Sequence, residues 1–274
     1  MNFKEVCRKI KNIEIQGAES IAVAGVKALK LKGANVKELL NLRPTEPMLR
    51  NSLKSAKKIG ADETLEMIKK AREEYINYGV KLVKNNSIVF THCHSSSVIG
   101  ILIKAKKLGK KFEVINTETR PLFQGRKTAE ELAKAGIKVT IVVDAAAGVA
   151  LSRLTKKKEI MMIGMDAVLT NDENNDVKGV VNKIGSGLLA EIAYDHKIPV
   201  YVVGNSWKTS FRKIKLELRN YKEIWKRVPK HIKIENPAFE IVDKKYITGI
   251  VSELGILNPK DFIRKVKKMY RWIL

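Results

Sequence analysis

The pattern of apolar and polar positions along the chain changes near residue 85. Before it, apolar residues recur every three or four positions, most regularly over 62–83, where Leu65, Ile68, Ala71 and Tyr75 fall on one helical face. That spacing predicts a long amphipathic helix. Shorter helical segments precede it, and Asn35 is suited to cap one of them. Nothing in this part of the sequence predicts a strand.

From residue 87 onward, short apolar runs rich in β-branched residues alternate with helical segments. The six runs lie at 87–92, 111–117, 138–144, 159–170, 199–205 and 246–253. Alternating strands and helices are typical of a parallel sheet covered by helices on both faces. We therefore predict the α/β class, with an all-helical N-terminal domain over 1–85 and a Rossmann-like parallel-sheet domain over 86–274. The first strand is not followed by GxGxxG, so a dinucleotide site is not indicated.

The composition is that of a folded protein with a large excess of positive charge. Of the 274 residues, 45% are hydrophobic and 30% charged, and 53 Lys and Arg against 29 Asp and Glu give a net charge of +24. The basic residues are scattered and aromatic residues make up only 6%, so a stacking platform for single-stranded nucleic acid is not expected. The charge fits a Lys-rich thermophilic surface, an anionic ligand or, as a third alternative, nucleic acid.

Two further features limit the environment of the protein. The only cysteines are Cys7 and Cys93, which excludes a disulfide framework and a Cys-rich zinc site. The first sixteen residues lack the apolar segment of a secretory signal, and the longest apolar runs are too short and interrupted to cross a membrane. We expect a cytoplasmic protein without a membrane partner.

The first strand runs into the turn THCHSSS, which combines a thiol with several hydroxyls. In open α/β sheets, ligands bind beyond the carboxyl ends of the strands. Cys93 lies there, before a helix whose N-terminus would lower a thiol pKa from its usual value of about 8.5. The N–H groups of the serine turn can hold a phosphate. The alternative is that Cys93 is a small apolar residue packed in the turn.

Asp166 follows Gly164 at the end of another apolar strand. A carboxylic acid in an apolar pocket has a raised pKa and can act as a general acid near neutral pH. Facing a thiolate, it could help move a proton between adjacent carbons of a sugar. The alternative is that Asp166 only shapes a backbone turn.

Several segments taken together resemble one known family. They are IKNIEIQGAESIA, Arg43-Pro44, THCHSSS, TETRPLFQGRKTAEELAKAGI, VVDAAAG, Gly164 with Asp166, VNKIGS and NPAFEIVDKKYITGIVSELGI. Over nearly the whole chain this set is similar to the archaeal ribose-1,5-bisphosphate isomerases. Those enzymes belong to the superfamily of the initiation factor 2B alpha, beta and delta subunits and methylthioribose-1-phosphate isomerase.

The resemblance implies a reaction and the residues that carry it. Ribose 1,5-bisphosphate is converted to ribulose 1,5-bisphosphate in AMP degradation, without metal or other cofactor. Cys93 accepts the C2 proton and Asp166 donates a proton. Convergent cations suit a substrate that carries up to about four negative charges. The implied substrate-binding residues are Gln16, Gly17, Ala18, Glu19, Arg43, Ser95, Ser96, Ser97, Asn182, Lys183 and Lys208.

The sequence departs from the family pattern in three places. Gln16 stands where the family usually has arginine, and Glu19 stands where it has glycine. One phosphate contact is therefore expected to be lost or reversed in sign. The segment 171–179 is longer and more acidic than the family's short turn, and the helical domain is shorter. These departures are expected to alter the choice of substrate, the response to a regulator or a lid over the site.

Three functions stay open at this point. The presence of both Cys93 and Asp166 favours an isomerase over a non-catalytic regulatory protein like the initiation factor 2B subunits, which typically lack one or both. An isomerase of another sugar phosphate, such as methylthioribose 1-phosphate, is the third. The family further implies AMP as an activator and a homo-oligomer built as a dimer-based hexamer, with no nucleic-acid partner.

Overall fold

The computed structural model describes residues 1–12, 14–43, 46–154, 158–171 and 176–273. Helices and strands alternate through most of these ranges. The helices are α1 Phe3–Lys11, α2 Ala18–Ala28, α3 Val36–Leu42, α4 Pro47–Ile59, α5 Ala61–Val80, α6 Ser96–Lys107, α7 Gln124–Lys134, α8 Ala147–Ser152, α9 Ser186–Asp195 and α10 Pro259–Met269. The strands are β1 Ser87–Thr91, β2 Phe112–Thr117, β3 Lys138–Val142, β4 Ile160–Gly164, β5 Ala167–Asn171, β6 Asp176–Lys183, β7 Val200–Val203, β8 Thr209–Ser210, β9 Phe239–Asp243, β10 Gly249–Ser252 and β11 Gly255–Leu257.

The N-terminal part of the chain is helical, as its apolar spacing predicts. Within the described ranges before Ser87 there is no strand. Helix α5 buries Ile68, Ala71 and Tyr75 on one face, because residues three and four apart meet on the same side of a helix. Asn35 caps α3 by accepting a hydrogen bond from the backbone N–H of the third residue that follows it, at 3.1 Å.

The larger sheet has seven strands in the order β11-β10-β7-β4-β1-β2-β3. Its strands are parallel except for β11, which pairs antiparallel with β10. Val89 and Phe90 are consecutive in β1 and belong to two different cores, because neighbouring side chains of a strand point to opposite faces. Helices α5, α6 and α7 cover one face, and α8, α9 and α10 cover the other. The predicted α/β class is confirmed.

A second sheet of four strands, in the order β8-β5-β6-β9, was not predicted. The strand end predicted at Gly164 to Asp166 agrees with β4, which ends at Gly164, but the sequence does not predict that the rest of the run 159–170 forms a separate strand, β5, of the other sheet. Between the two strands, the Asp166 N–H donates to the Val181 carbonyl of β6 at 2.9 Å. The backbone of Asp166 therefore pairs with the second sheet and no longer with the neighbours of β4. The segment 171–179, expected to be a long acidic turn, belongs largely to the β5–β6 hairpin, whose residues 172–175 lie outside the described ranges.

The helical part and the sheet are in close contact. Tyr75 and Val80 of α5 pack into the same core as Val89, while Met48 of α4 packs with Trp207. The predicted domain boundary at residue 85 falls between α5 and β1. The division into two domains stays a prediction. None of the helices in the described ranges combines the length and the apolar character needed to cross a membrane.

Candidate active site

Cys93 lies just beyond the end of β1, in the turn that leads into α6. Its backbone is in the left-handed region, with a φ of 65°. Its N–H donates to Thr119 Oγ1 at 3.0 Å, and its carbonyl accepts from Thr128 Oγ1 at 2.8 Å. Since Thr119 follows β2 and Thr128 lies on α7, two neighbouring segments hold the turn. The thiol therefore has a fixed place at the carboxyl edge of the sheet.

The thiol of Cys93 is not activated in the way that the sequence predicts. Burial raises the pKa of Cys93 to about 12, and the charges of Asp166 and Asp144 act in the same direction. The backbone N–H of His94 and the charge of Lys183 lower the pKa. Helix α6 begins beyond Cys93 rather than at it, and the effect of a helix terminus falls off within one turn. The expectation of a lowered thiol pKa is wrong, and Lys183 is a cation that favours the thiolate.

His92 is a structural link between three loops of the site. Its Nε2 lies 2.9 Å from the Ile184 carbonyl and must donate to it, because a carbonyl oxygen only accepts. Burial lowers the pKa of His92, so the ring is neutral and Nδ1 accepts from Thr117 Oγ1 at 2.6 Å. Gly185 lies directly against this ring, where an added Cβ would come within 3.2 Å.

The turn that follows β2 is held by a carboxylate at the end of β3. Asp144 accepts hydrogen bonds from the N–H groups of Thr119 at 2.9 Å and Arg120 at 2.6 Å. Thr119 in turn contacts the backbone of Cys93. Asp144 therefore supports the turn that holds Cys93 indirectly, through Thr119.

Gly125 is required for the approach of α7 to this turn. A Cβ at position 125 would lie 1.7 Å from the carbonyl oxygen of Thr117, so we expect Gly125→Ala to destabilise the protein by about 3 kcal/mol. Urea unfolding measures this change. Gly148→Ala is the control, because its Cβ would meet Ile192 Cδ1 at an ordinary 3.4 Å. Equal unfolding midpoints for the two variants would contradict the assignment.

The serine turn forms the start of α6. Ser95 is the N-cap, and its Oγ accepts from the Val98 N–H at 3.4 Å. Ser96 is exposed, whereas Ser97 is buried. Gly164 at the end of β4 lets the turn approach, since a Cβ there would lie 2.6 Å from Ser95 Oγ. The N–H groups at a helix start can receive an anion, and the phosphate contact of this turn stays a prediction.

A hydrogen-bond chain joins the N-terminal helices to the serine turn. Ser97 Oγ donates to the Tyr75 hydroxyl at 3.2 Å, and that hydroxyl donates to Glu19 at 2.9 Å. Arg72 also donates to Glu19, at 2.9 Å. Glu19, the acid that departs from the family pattern, is thus tied to the turn through Tyr75, which the sequence predicts only as part of the apolar face of the long helix.

The three residues just before Glu19 differ in their burial. Gln16 and Gly17 are exposed ahead of α2, while Ala18 is buried in a core with Met48 and Trp207. The contribution of Ala18 visible here is apolar packing. Substrate contacts from all three stay predictions.

Asp166 and three cations form one electrostatic cluster. Burial raises the pKa of Asp166, and the charges of Lys208, Arg43 and Lys183 oppose that increase. Lys208 is buried, and its Nζ donates to the carbonyl of Met165 at 2.6 Å. The raised pKa of Asp166 agrees with the expectation for a general acid.

Lys183 also connects the two candidate catalytic groups, because its charge acts on both Cys93 and Asp166. It ends β6 and is buried. The preceding Asn182 donates from Nδ2 to Ser186 Oγ at 2.9 Å. The structure thus brings together residues that lie far apart in the sequence.

Arg43 is engaged by two carboxylates. Its Nη2 lies 3.4 Å from Glu46 Oε1 and 3.3 Å from Glu217 Oε2. Burial and the charge of Asp166 raise the pKa of Glu46 to about 7, against the opposing charges of Arg43 and Lys208. Neither glutamate was singled out from the sequence. A substrate phosphate at Arg43 would have to compete with both.

The lysine at position 208 is held in place from the helical part of the chain. Asn51 of α4 donates from Nδ2 to the carbonyls of Trp207 at 2.7 Å and Thr209 at 3.1 Å, on either side of Lys208. This role of Asn51 has no local sequence signal. In the part of the chain that the structure describes, no three His, Cys, Asp or Glu side chains are grouped to hold a metal ion.

These features define a class of protein: a parallel α/β sheet preceded by helices, with a thiol, carboxyl groups and buried lysines gathered at one edge. The chain belongs to the initiation factor 2 subunit family, whose IF-2B model matches residues 49–259. The match covers β1 to β11 and begins within α4. Both Cys93 and Asp166 lie inside it.

Its relatives carry different names. The ribose 1,5-bisphosphate isomerase of Thermococcus kodakarensis is 32% identical, over 98% of this chain and 95% of that protein. The methylthioribose-1-phosphate isomerase of Carboxydothermus hydrogenoformans is 32% identical, over 89% of this chain and 70% of that protein. The translation initiation factor eIF-2B of Pyrococcus horikoshii has a crystal structure that matches with a TM-score of 0.81 at 27% identity, over 95% of this chain and 98% of that one.

Proposed function

We propose that the protein is an aldose–ketose isomerase that converts ribose 1,5-bisphosphate to ribulose 1,5-bisphosphate. The observation that carries the proposal is the grouping of three residues: Cys93 and Asp166 follow β1 and β4 at the carboxyl edge of the larger sheet, and the charge of Lys183, at the end of β6, acts on both. A base and an acid flanking one site are what proton transfer between adjacent carbons requires. The similarity to ribose 1,5-bisphosphate isomerases over nearly the whole chain supports the choice of substrate.

In this mechanism Cys93 takes the proton from C2 and Asp166 supplies a proton. The thiol must be ionised to accept it, and the charge of Lys183 favours that state. One phosphate lies at the start of α6, on the turn Ser95–Ser97. The buried cations Lys208 and Lys183 would offset the negative charge of the substrate near Asp166. Arg43 contributes to the second phosphate only by loosening its pairing with Glu46 or Glu217.

The alternative is a non-catalytic binding protein like the initiation factor 2B subunits. The similarity to the Pyrococcus horikoshii structure supports it, and so does the raised thiol pKa, which leaves Cys93 largely protonated near neutral pH. An isomerase of methylthioribose 1-phosphate is a further candidate on the same site. Activation by AMP and assembly into a homo-oligomer stay predictions.

A substrate screen by NMR tests the proposal. Ribose 1,5-bisphosphate, with and without AMP, is compared with methylthioribose 1-phosphate on one preparation. We expect conversion of the bisphosphate and a higher rate with AMP. If only methylthioribose 1-phosphate is converted, that sugar phosphate is the substrate and the proposal of ribose 1,5-bisphosphate is wrong. Binding of both sugars without conversion of either would favour the regulatory function.

A further inference from the structure

Lys208 is a buried cation whose position depends on a short turn beyond the end of β7. The turn covers 204–208 and includes a single 3₁₀ turn at Ser206–Lys208. Lys208 is 7% exposed, and its Nζ donates to the Met165 carbonyl at 2.6 Å. A Cβ at Gly204 would lie 3.3 Å from the same Nζ, so the ammonium group lies against the chain that enters its own turn. The contacts that hold the turn therefore also fix the ammonium group.

Glu253 contacts this turn from the neighbouring strand. Strand β10 runs parallel to β7 with Val251 opposite Val203, so the residues that follow the two strands lie side by side. One carboxylate oxygen of Glu253 accepts from the Ser206 N–H at 3.0 Å, and the other accepts from the Ser206 hydroxyl. Paired hydrogen bonds add geometric specificity. Glu253 therefore fixes both the backbone and the side chain of Ser206.

The C-terminal part of the described chain contacts the same turn. The Tyr270 hydroxyl donates to the Glu253 carboxylate at 3.3 Å. The rings of Tyr270 and Trp272 pack edge-to-face against Trp207, with centroid distances of 6.1 and 5.1 Å, an arrangement that aromatic pairs prefer. The two residues directly before Lys208 are thus both held by contacts from outside the turn.

We propose that Glu253 is a positioning residue that places the Lys208 ammonium group for a substrate phosphate, through its two hydrogen bonds to Ser206. The proposal rests on the isomerase function, in which Lys208 contacts the substrate. A lysine side chain is long and flexible, and a cation that is already held in place loses less conformational freedom when a phosphate binds. This role requires the hydrogen bonds of Glu253 rather than its charge.

Two substitutions of Glu253 separate hydrogen bonding from charge. Methionine has about the size of glutamate but offers no oxygen to the Ser206 N–H, whereas glutamine can accept from that N–H and donate to the Ser206 hydroxyl. Binding of ribose 1,5-bisphosphate is measured by calorimetry in Cys93→Ser protein, which avoids turnover. We expect Glu253→Met to raise the dissociation constant about tenfold, and Glu253→Gln to change it less than about twofold.

A double-mutant cycle with Lys208→Met shows whether Glu253 acts through Lys208. If it does, Glu253→Met lowers the affinity by less than about twofold in protein that already carries Lys208→Met, because coupled residues are not additive. A merely structural role would lower the affinity equally in both backgrounds. That equal loss, an unchanged dissociation constant in folded Glu253→Met, or a loss in Glu253→Gln as large as in Glu253→Met would overturn the proposal.

Ser206→Ala covers the case in which Glu253→Met does not fold. It removes the hydroxyl and leaves the N–H, so we expect the dissociation constant to rise about threefold, and not to rise in Lys208→Met protein. Ser52→Ala is the matched control, since among the described residues this buried hydroxyl of α4 has no hydrogen-bond partner. An unchanged constant in Ser206→Ala, or an equal rise in Ser52→Ala, would overturn the proposal. Failure of the isomerase function is seen separately, as absence of conversion by the unmodified protein.

Discussion

Replacing Cys93 by serine is expected to abolish turnover while substrate still binds. Serine has nearly the shape of cysteine, so the turn held by Thr119 and Thr128 should persist. A hydroxyl, however, gives up its proton far less readily than a thiol. Lys183, which favours the thiolate, cannot offset that difference. We expect the rate to fall at least by the roughly 10²–10⁴-fold that general acid–base catalysis contributes.

An NMR assay for turnover and calorimetry for binding, carried out on the same preparation, measure both properties. Cys7→Ser is the matched control, because Cys7 is 4% exposed in a core of the N-terminal helices and serves packing. It should lower stability by about 1–2 kcal/mol and leave turnover intact. If Cys93→Ser keeps more than about a tenth of the original rate, Cys93 is not the proton acceptor.

Asp166→Asn alone is expected to lower the rate of isomerisation by about 10²–10⁴-fold, as much as Cys93→Ser. Asparagine keeps the shape of the side chain and can hydrogen-bond to a sugar, but it cannot transfer the proton. The substitution also removes the charge that acts on Cys93 and Glu46. Because folding raises the pKa of Asp166, the acid contributes most stability at low pH and loses it as pH rises through that pKa.

The same variant separates an enzyme from a regulatory subunit. In a regulatory protein the substitution would change affinity or stability by about 1 kcal/mol, with no turnover to lose. Asp176→Asn is the control, since that carboxylate pairs with Lys244 at the surface. Tight binding of sugar phosphate by the unmodified protein without detectable conversion would exclude the isomerase function.

The sequence predicts helices and strands correctly where the spacing of apolar residues along a short segment shows which side chains are buried. The three-and-four spacing over 62–83 predicts α5, found at Ala61–Val80, and the β-branched runs predict the parallel strands. The end of β4 at Gly164 is predicted, but the apolar residues after it do not reveal that they pair in a second sheet. Which sheet each strand joins depends on pairing with β7 in one case and β6 in the other, and those partners are remote in sequence.

The strand-end rule finds part of the site and misses the rest. It locates Cys93 and Asp166, because the carboxyl ends of parallel strands meet at one edge. Lys183 ends β6, an antiparallel strand of the second sheet, and is implied only by the family resemblance. The rule cannot find Asn51, which holds the backbone on either side of Lys208 from another helix. It also cannot find Glu46, for which the following Pro47 predicts only extended backbone.

The sequence by itself determined the fold class, the order of helices and strands around the larger sheet, and the family whose motifs the chain carries. These follow from periods, caps and spacings contained within short segments. The tertiary structure alone decided the second sheet, the engagement of Arg43 by two glutamates and the direction of the Cys93 pKa. Burial and charge at a side chain are summed over neighbours from many segments, and no single stretch of sequence contains that sum.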